Sequence, residues 1–149
     1  MTSGPVFRDL TTAECDTLLR RGEHGRLAFA GPERIDVLPI HYVYDDGWIY
    51  GRTAPGTKLT SVGRSPWVAF EVDEYEGLFD WQSVVVKGTI YLIDDGATER
   101  VEEQREHALR LLRRLIPQTL LPGDPTPDRT TIFRLHVDEM TGRAASTGE

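Results

Sequence analysis

The segment from Arg52 to Lys58 carries residue types that could bind an anion. A predicted strand, WIYGRT, leads through the loop APGT to Lys58, where a short predicted helix starts. Gly56 lets the backbone approach a ligand closely, the helix start offers free N–H groups, and Thr57 and Lys58 add a hydroxyl and a positive charge. Arg52 and Thr53 are expected to point into the same space. The pattern favours a phosphate, although an ordinary capped turn with a solvated lysine would have the same sequence.

A second segment could supply an apolar slot for a planar ring. Pro39 interrupts the predicted strand 35–44. Proline cannot donate to a β-ladder, so Pro39 should lie at an edge, a bulge or a ligand-facing break, where neighbouring backbone groups are free to bond the polar edge of a ring. Ser83 and Val84 enter the next long strand. For the apolar Ile40 and Val84, the local pattern favours an ordinary place in the core over contact with a ring.

Other catalytic signatures are missing from the sequence. There is no GxGxxG, no phosphate-binding loop of the GxxxxGK[ST] form and no GxSxG. The four histidines are far apart and none has HExxH spacing, so no metal site is predicted. Cys15 lies on the apolar face of a predicted helix, where an inert buried thiol is expected. No side chain is therefore assigned a catalytic role, and the catalytic residues are left unknown.

The elements that must position these residues are mostly strands. The patterns predict helices at 11–22, 58–64 and 97–116 and strands at 26–30, 35–44, 48–53, 67–73, 83–93 and 131–138, with a bulge or bend at Gly88. Irregular segments are predicted at 74–80, an acidic loop with exposed aromatics, at 117–129, an extended proline-rich loop, and at 141–143, a turn into a short tail. Strands joined by short turns favour an antiparallel barrel or sheet with helices at its ends.

Composition limits the class of protein. The 149 residues suit a single domain over 1–149, and the net charge of −7 makes a nucleic acid a poor partner. No apolar run approaches the ~20 residues of a membrane span, and the N-terminus shows no secretion signal. One cysteine allows no internal disulfide, which fits a reducing compartment. We expect a cytoplasmic protein with neither a membrane nor a nucleic-acid partner.

The ordered segments GRLAF, VLPIHYVYDDGWIYGRTAPGTKL, SPWVAFEVDE and WQSVVVKGTIYLIDD resemble a known family. They are similar to the pyridoxamine 5′-phosphate oxidase-related, FMN-binding split-barrel proteins, and within these to the nitroimidazole-resistance-type flavoproteins. The resemblance runs from about residue 8 to Arg143. It implies a mainly β fold with peripheral helices, namely a six-stranded antiparallel split β-barrel that forms a homodimer with FMN between the subunits. The apolar surface expected around Trp48 and Trp67 also favours a dimer.

The resemblance also implies roles for particular residues. The FMN phosphate would be held by Arg52, Thr53 and Lys58, the isoalloxazine would be lined by Pro39, Ile40 and His41, and the ring would be approached from the next strand by Ser83 and Val84. Many nitroimidazole-resistance-type members have histidine at the position of Arg52, and the arginine here is expected to add phosphate affinity.

The function that follows is an FMN-dependent oxidoreductase for a small, nitro-aromatic or heterocyclic substrate. The tail RLHVDEMTGR does not match the arginine-rich substrate motif of true pyridoxine-phosphate oxidases, so pyridoxamine phosphate is not the expected substrate. Two alternatives stay open: a reductase of the same fold that uses deazaflavin F420, and a flavin carrier or sensor without turnover.

Overall fold

The structure, a computed structural model of the chain, describes residues 4–31, 33–55, 59, 66–93 and 98–147. Its elements in chain order are β1 (Pro5–Asp9), α1 (Thr12–Arg21), β2 (His24–Ala30), β3 (Ile35–Asp45), β4 (Trp48–Thr53), β5 (Trp67–Gly77), β6 (Asp80–Ile93), α2 (Glu99–Leu115) and β7 (Thr131–Thr147). Lys58 and, apart from Leu59, the predicted helix 58–64 lie outside the described residues. No described helix is both long and apolar enough to span a membrane.

Six of the seven strands close into a ring. The antiparallel order is β7-β4-β3-β2-β5-β6, and β6 pairs again with β7. The seventh strand, β1, pairs with the C-terminal end of β7, where Pro5–Asp9 lie opposite Thr147–Arg143. The predicted six-stranded antiparallel barrel is therefore confirmed, and β1 is an addition that the sequence patterns did not predict.

The last strand is longer than its sequence pattern indicates. β7 continues to Thr147, so the prediction of a turn at 141–143 is wrong. Thr141, Gly142 and Arg143 stay extended because β6 pairs with all three. A strand whose backbone groups are paired can include residues that would otherwise favour a turn.

The acidic segment 74–80 is a second correction. Its first residues extend β5 to Gly77, and only Leu78 and Phe79 form the turn before β6. Glu74 lies opposite Gln82 in the ladder, and its carboxylate accepts hydrogen bonds from Arg21 Nε and Nη2 at 2.6 and 2.7 Å. Cross-strand pairing and this ion pair compensate for the low strand propensity of acidic residues.

Alternating side chains of the strands fill the barrel, and α1 adds to this core. Cys15, Leu18 and Leu19 of α1 are buried, and the Tyr42 hydroxyl donates a 2.7 Å hydrogen bond to the Leu19 carbonyl.

The predicted capping box is present, since the Thr11 side chain and the Glu14 carboxylate each accept from the other's backbone N–H. Burial raises the pKa of the Cys15 thiol, as expected for an inert cysteine.

The second helix covers the outer side of the barrel at β4, β6 and β7. Ala108, Leu111 and Leu112 of α2 pack with Tyr50, Ile93 and Ile132 in a separate apolar cluster. Val43, near the end of β3, packs against the same cluster. The outward side chains of β2, of β5 and of residues 35–41 of β3 have no helix over them in the described chain. This asymmetry divides the outer surface into a covered and an uncovered part.

Gly88 should not tolerate a side chain. The register of β6 against β7 shifts between Lys87 and Gly88, as predicted, and a Cβ at Gly88 would collide with the His136 carbonyl. We expect Gly88→Ala to lower the free energy of unfolding by about 1–3 kcal/mol in urea denaturation, the usual effect of overpacking. Gly77→Ala is the control, because Asp80 Cβ at 4.0 Å is the nearest atom to its added methyl. Equal stability of Gly88→Ala and Gly77→Ala would contradict this packing.

Candidate functional site

The uncovered face of the barrel has an apolar floor, which we define as Val37, Pro39, Ala28 and Ala69. Val37 lies opposite Ala28, and Ala28 lies opposite Ala69, so these residues form a row across β3, β2 and β5. Val37 is 59% exposed. The two alanines have no atoms beyond Cβ, so the floor is shallow and open.

Hydrogen-bonding side chains border this floor in a polar cluster of Arg26, Glu71, Asp73 and Ser83. Pro39 lies opposite Arg26, which lies opposite Glu71. Arg26 Nη1 is 2.8 Å from Glu71 Oε1 and 3.3 Å from Asp73 Oδ2. Ser83 Oγ donates to Glu71 Oε2 at 2.8 Å. Glu71 is therefore the centre of the cluster.

The pKa of the Glu71 carboxyl is raised, first by burial and then by a hydrogen bond with Asp73. Hydrogen bonds from Ser83 and Arg26 act in the opposite direction. Glu71 is not among the site residues predicted from the sequence. The alternation in WVAFEVD could have identified it, because Val68, Phe70 and Val72 are buried and Glu71 must then point outward.

Of the residues predicted to line a ring, some point to the uncovered outer face of the sheet and others point into the barrel core. Pro39 and His41 of β3 and Ser83 of β6 alternate with core residues and point to the uncovered face. Ile40 and Val84 are 4% and 0% exposed and belong to the barrel core, so only their backbone could reach a ligand there. This agrees with the ordinary-core reading of both residues.

Pro39 lies at a free edge, one of the predicted settings. Within the described residues, β3 pairs with β4 only from Tyr42 to Asp45, whereas residues 35–41 pair with β2 alone. The missing N–H of Pro39 is thus tolerated. Ser83 does not lie beside Pro39, because β2 and β5 separate β3 from β6, a distance of roughly 14 Å at the usual strand spacing.

Arg52 forms an internal ion pair instead of facing open space. Its Nη1 and Nη2 lie 2.7 and 2.8 Å from the two carboxylate oxygens of Asp124, and they also donate to the Thr126 hydroxyl and to the carbonyls of Thr126 and Arg129. The Arg52 and Asp124 side chains are only 5% and 2% exposed. Arg52 therefore ties the proline-rich segment 117–129 to the end of β4.

Arg52 and Thr53 do not point into the same space, so that expectation is wrong. They are consecutive in β4, and consecutive strand residues point to opposite faces. A Cβ on Gly51 would meet Phe133 and Ile40 of the core, which places Gly51 and the buried Thr53 on the inner side. A phosphate contact by Arg52 stays a prediction, and it would require Arg52 to leave a buried carboxylate without its partner. Lys58 lies outside the described residues.

Among the described residues, no group of three or more histidine, cysteine, aspartate or glutamate side chains could hold a metal ion.

Loss of the Arg52–Asp124 pair should destabilise the fold strongly. We expect Arg52→Met to lower the melting temperature by roughly 6–20 °C, because it leaves a buried carboxylate without its counter-charge. Arg20→Met is the matched control, since Arg20 forms an exposed ion pair with Asp16 and should cost less than about 4 °C. Similar melting temperatures for the two variants would contradict the role given to Arg52.

The same pair should make stability depend on acid pH. Arg52, with help from the backbone N–H groups of Thr126 and Leu120, holds the pKa of Asp124 well below its usual 3.8. A carboxyl whose pKa is lower in the folded state stabilises the fold above about pH 4, and that contribution is lost as the pH falls further. The difference in melting temperature between wild type and Arg52→Met should therefore shrink below about pH 4.

The comparisons with known proteins agree with this geometry. The profile of the family described as Pyridoxamine 5′-phosphate oxidase matches residues 11–144. The chain is 31% identical over 150 residues to RA0666, an uncharacterized protein of Rhizobium meliloti (strain 1021), with 95% of this chain and 97% of that protein covered. The crystal structure of an FAD-binding protein from Mesorhizobium loti superposes with a TM-score of 0.75 at 28% identity and covers 95% of this chain and 99% of that one.

Two solved structures of lower identity share the fold. One is a candidate 5-nitroimidazole antibiotic resistance protein from Bacteroides thetaiotaomicron, with a TM-score of 0.74, 18% identity and coverage of 97% of this chain and 90% of that one. The other, an F420 reductase, has a TM-score of 0.60, 18% identity and coverage of 84% and 94%. Because the family profile matches residues 11–144 and a relative is 31% identical over 95% of this chain, the chain belongs to the pyridoxamine 5′-phosphate oxidase family.

Proposed function

We propose that this protein binds FMN and is an oxidoreductase for a small nitro-aromatic or heterocyclic molecule. The observation that carries the proposal is the uncovered face, where an open apolar floor meets a cluster of hydrogen-bonding side chains. Family membership, together with the FAD-binding protein from Mesorhizobium loti, supports a flavin as the class of cofactor.

The residues on this face fit the isoalloxazine part of a flavin. An isoalloxazine is flat and apolar over its body, and its polar edge needs hydrogen-bond partners. Val37 and Pro39 with the two small alanines offer a flat apolar surface, and the free edge of β3 at residues 35–41 offers backbone N–H and C=O groups that no described strand uses. Flat apolar surface beside free polar groups is the usual composition of a cofactor pocket.

The protein's own part in the reaction would be to bind, orient and supply charge, while the bound flavin supplies the redox chemistry. Arg26 contributes a fixed positive charge, which two carboxylates hold in place. Ser83 donates to Glu71, so the lone pairs of its oxygen stay available as acceptors. Glu71 is the group of this cluster best suited to hold a proton on a carboxylate oxygen, because burial raises its pKa.

The phosphate of FMN is assigned to Lys58, and a phosphate contact by the buried Thr53 stays a prediction. This assignment rests on the strand–loop–helix pattern of the sequence and on the resemblance to the family. Arg52 is not assigned to the phosphate, because the five hydrogen bonds that its guanidinium donates to described residues all go to segment 117–129.

Two other functions of the same fold need to be distinguished from this one. The F420 reductase with a similar structure favours a deazaflavin-dependent enzyme, and a carrier or sensor would hold flavin without turnover. FMN absorbs near ~450 nm and F420 near ~420 nm, so the spectrum and mass of the co-purified cofactor separate these two. Steady-state turnover with NADPH and a nitro-aromatic acceptor separates an enzyme from a carrier.

Lys58 should support FMN binding through its charge. We expect Lys58→Met to weaken FMN binding roughly ten- to a hundredfold, because a charge-assisted bond to phosphate is lost. Riboflavin has no phosphate, so its affinity should hardly change. Titration of apoprotein with both ligands, followed by flavin fluorescence, measures the difference.

Arg114→Met is the control for this variant, since it removes one positive charge from the exposed end of α2. Equal weakening of FMN and riboflavin by Lys58→Met would show that Lys58 supports the fold and not the phosphate. Unchanged affinity for both ligands would place the phosphate elsewhere.

We also propose that the protein is a homodimer in which a second copy of the chain packs on the face that no helix covers. Ile35, Trp67 and Val85 border the apolar floor and are 76%, 50% and 36% exposed. A second copy would bury these side chains. Because Pro39 and Ser83 of one chain are far apart, a second copy would also bring another polar cluster close to the floor. Trp48 does not contribute to this surface, because it packs beside Arg134 and His136.

Sedimentation equilibrium of the flavin-loaded protein at micromolar concentration should show a dimer. Ile35→Glu should shift it towards the monomer, because a charge would have to be buried at the interface. Leu121→Glu is the control, since Leu121 is also exposed, at 47%, but lies on segment 117–129. A flavin-loaded wild-type monomer, or equal dissociation of both variants, would contradict the dimer.

A further inference from the structure

A cavity of about 250 Å³ lies between the first half of α2 and the outer side of β4 and β7. Six described residues line it: Tyr50, Arg100, Glu103, Gln104, His107 and Arg134. The four helical residues have the spacing of one face of a helix, so α2 presents a polar face to the barrel here. A polar helix face over a cavity is not explained by packing alone, because the same helix packs on the barrel with Ala108, Leu111 and Leu112.

Arg134 is the central group of this cavity. It lies opposite Tyr50 on β4 and Tyr91 on β6. Its guanidinium carbon is 4.3 Å from the ring centroid of Trp48 and 5.4 Å from that of Tyr91. Stacking on aromatic rings fixes the plane of a guanidinium and leaves the N–H groups at its edge free to donate.

The guanidinium of Arg134 stacks on two rings but has no hydrogen-bond partner in the described part of the chain. Its Nε is buried without a hydrogen bond, and no described carboxylate lies within ion-pair distance. A buried donor without a partner is unfavourable, so such a group in a native structure commonly marks a missing ligand, ion or water.

The other lining residues add to the positive charge. Arg100 brings a second guanidinium, and Glu103 is the single carboxylate among the six. His107 Nδ1 accepts from Arg110 Nη2 at 3.4 Å, so in the neutral ring the proton is on Nε2, which can donate. The Tyr50 residue is 5% exposed and its hydroxyl is a further donor. Two guanidiniums against one carboxylate, in a chain of charge −7, form a local site for an anion.

We propose that this cavity binds the carboxylate or phosphate group of a small organic molecule, at a site separate from the flavin face. An arginine fork with free N–H groups matches the geometry of both oxyanions. The volume is below the 300–1,000 Å³ that is usual for drug-sized ligands, so the ligand is small. The site lies under α2 on β4 and β7, whereas the apolar floor lies on β3, β2 and β5.

The test uses the purified full-length protein with whatever flavin it carries, in an oxyanion-free Tris buffer. The probes are benzoate, its neutral isostere benzamide, and inorganic phosphate. Titration calorimetry measures affinity, and the Nε–H signal of Arg134 in a ¹⁵N spectrum, assigned by its loss in Arg134→Met, reports the location. We expect benzoate or phosphate to shift this signal and benzamide to bind at least about tenfold more weakly than benzoate.

Arg100→Met keeps the stacked arginine and replaces a residue of α2 that is exposed at the rim of the cavity, so it should fold. It should weaken oxyanion binding about tenfold or more, and Arg114→Met on the same helix should leave it unchanged. Binding of benzoate alone would assign the site to carboxylates, and binding of phosphate would include phosphate esters. Equal binding of benzamide, an Arg134 signal that neither anion moves at millimolar concentration, or full affinity in Arg100→Met would overturn the proposal.

Discussion

The pairing of β7 with strands on both of its sides is the constraint on which the rest of the structure depends. Its first part pairs with β4 and β6 together and closes the ring, and its last part pairs with β6 and β1. Of the described strands, β7 alone pairs with both β4 and β6. Closure removes free edges from most of the barrel and leaves a free edge where residues 35–41 of β3 lie beyond the end of the β4 ladder. Pro39 can occupy that edge, where no second described strand pairs with the backbone.

Strand alternation then separates the core from two outer surfaces with different chemistry. Inward residues of the strands form one apolar core with α1. Outward residues of β4 and β7 lie under α2, where aromatic rings surround Arg134. Outward residues of β2, of β5, of residues 35–41 of β3 and of the first part of β6 remain uncovered and combine small apolar side chains with the cluster around Glu71. The candidate sites therefore follow from which outward faces a helix covers.

Electrostatics also depend on this division. The chain has a net charge of −7. Arg52 is buried and is paired with the buried carboxylate of Asp124. Arg134 is held by aromatic rings instead. These two arginines cannot be told apart by composition, because both lie in alternating strands and both point outward. Arg52 is a structural anchor because Asp124 pairs with it. The N–H groups of Arg134 stay free to donate because no described carboxylate reaches them.

The sequence by itself determined the family, the barrel class and most element positions, because these depend on local patterns. The capping box of α1 and the bounds of β4 are set by residues close together in the chain. The bulge at Gly88 was indicated by a glycine inside a strand pattern, although the backbone that approaches it belongs to the distant His136. The tertiary structure alone decided the length of β7, the strand conformation of residues 74–77, the partner of Arg52 and the position of Glu71. Each depends on a residue far away in sequence: Asp124 is 72 positions from Arg52, and Arg26 is 45 positions from Glu71. Local propensity contains no information on such contacts, since only the closed barrel brings these residues together.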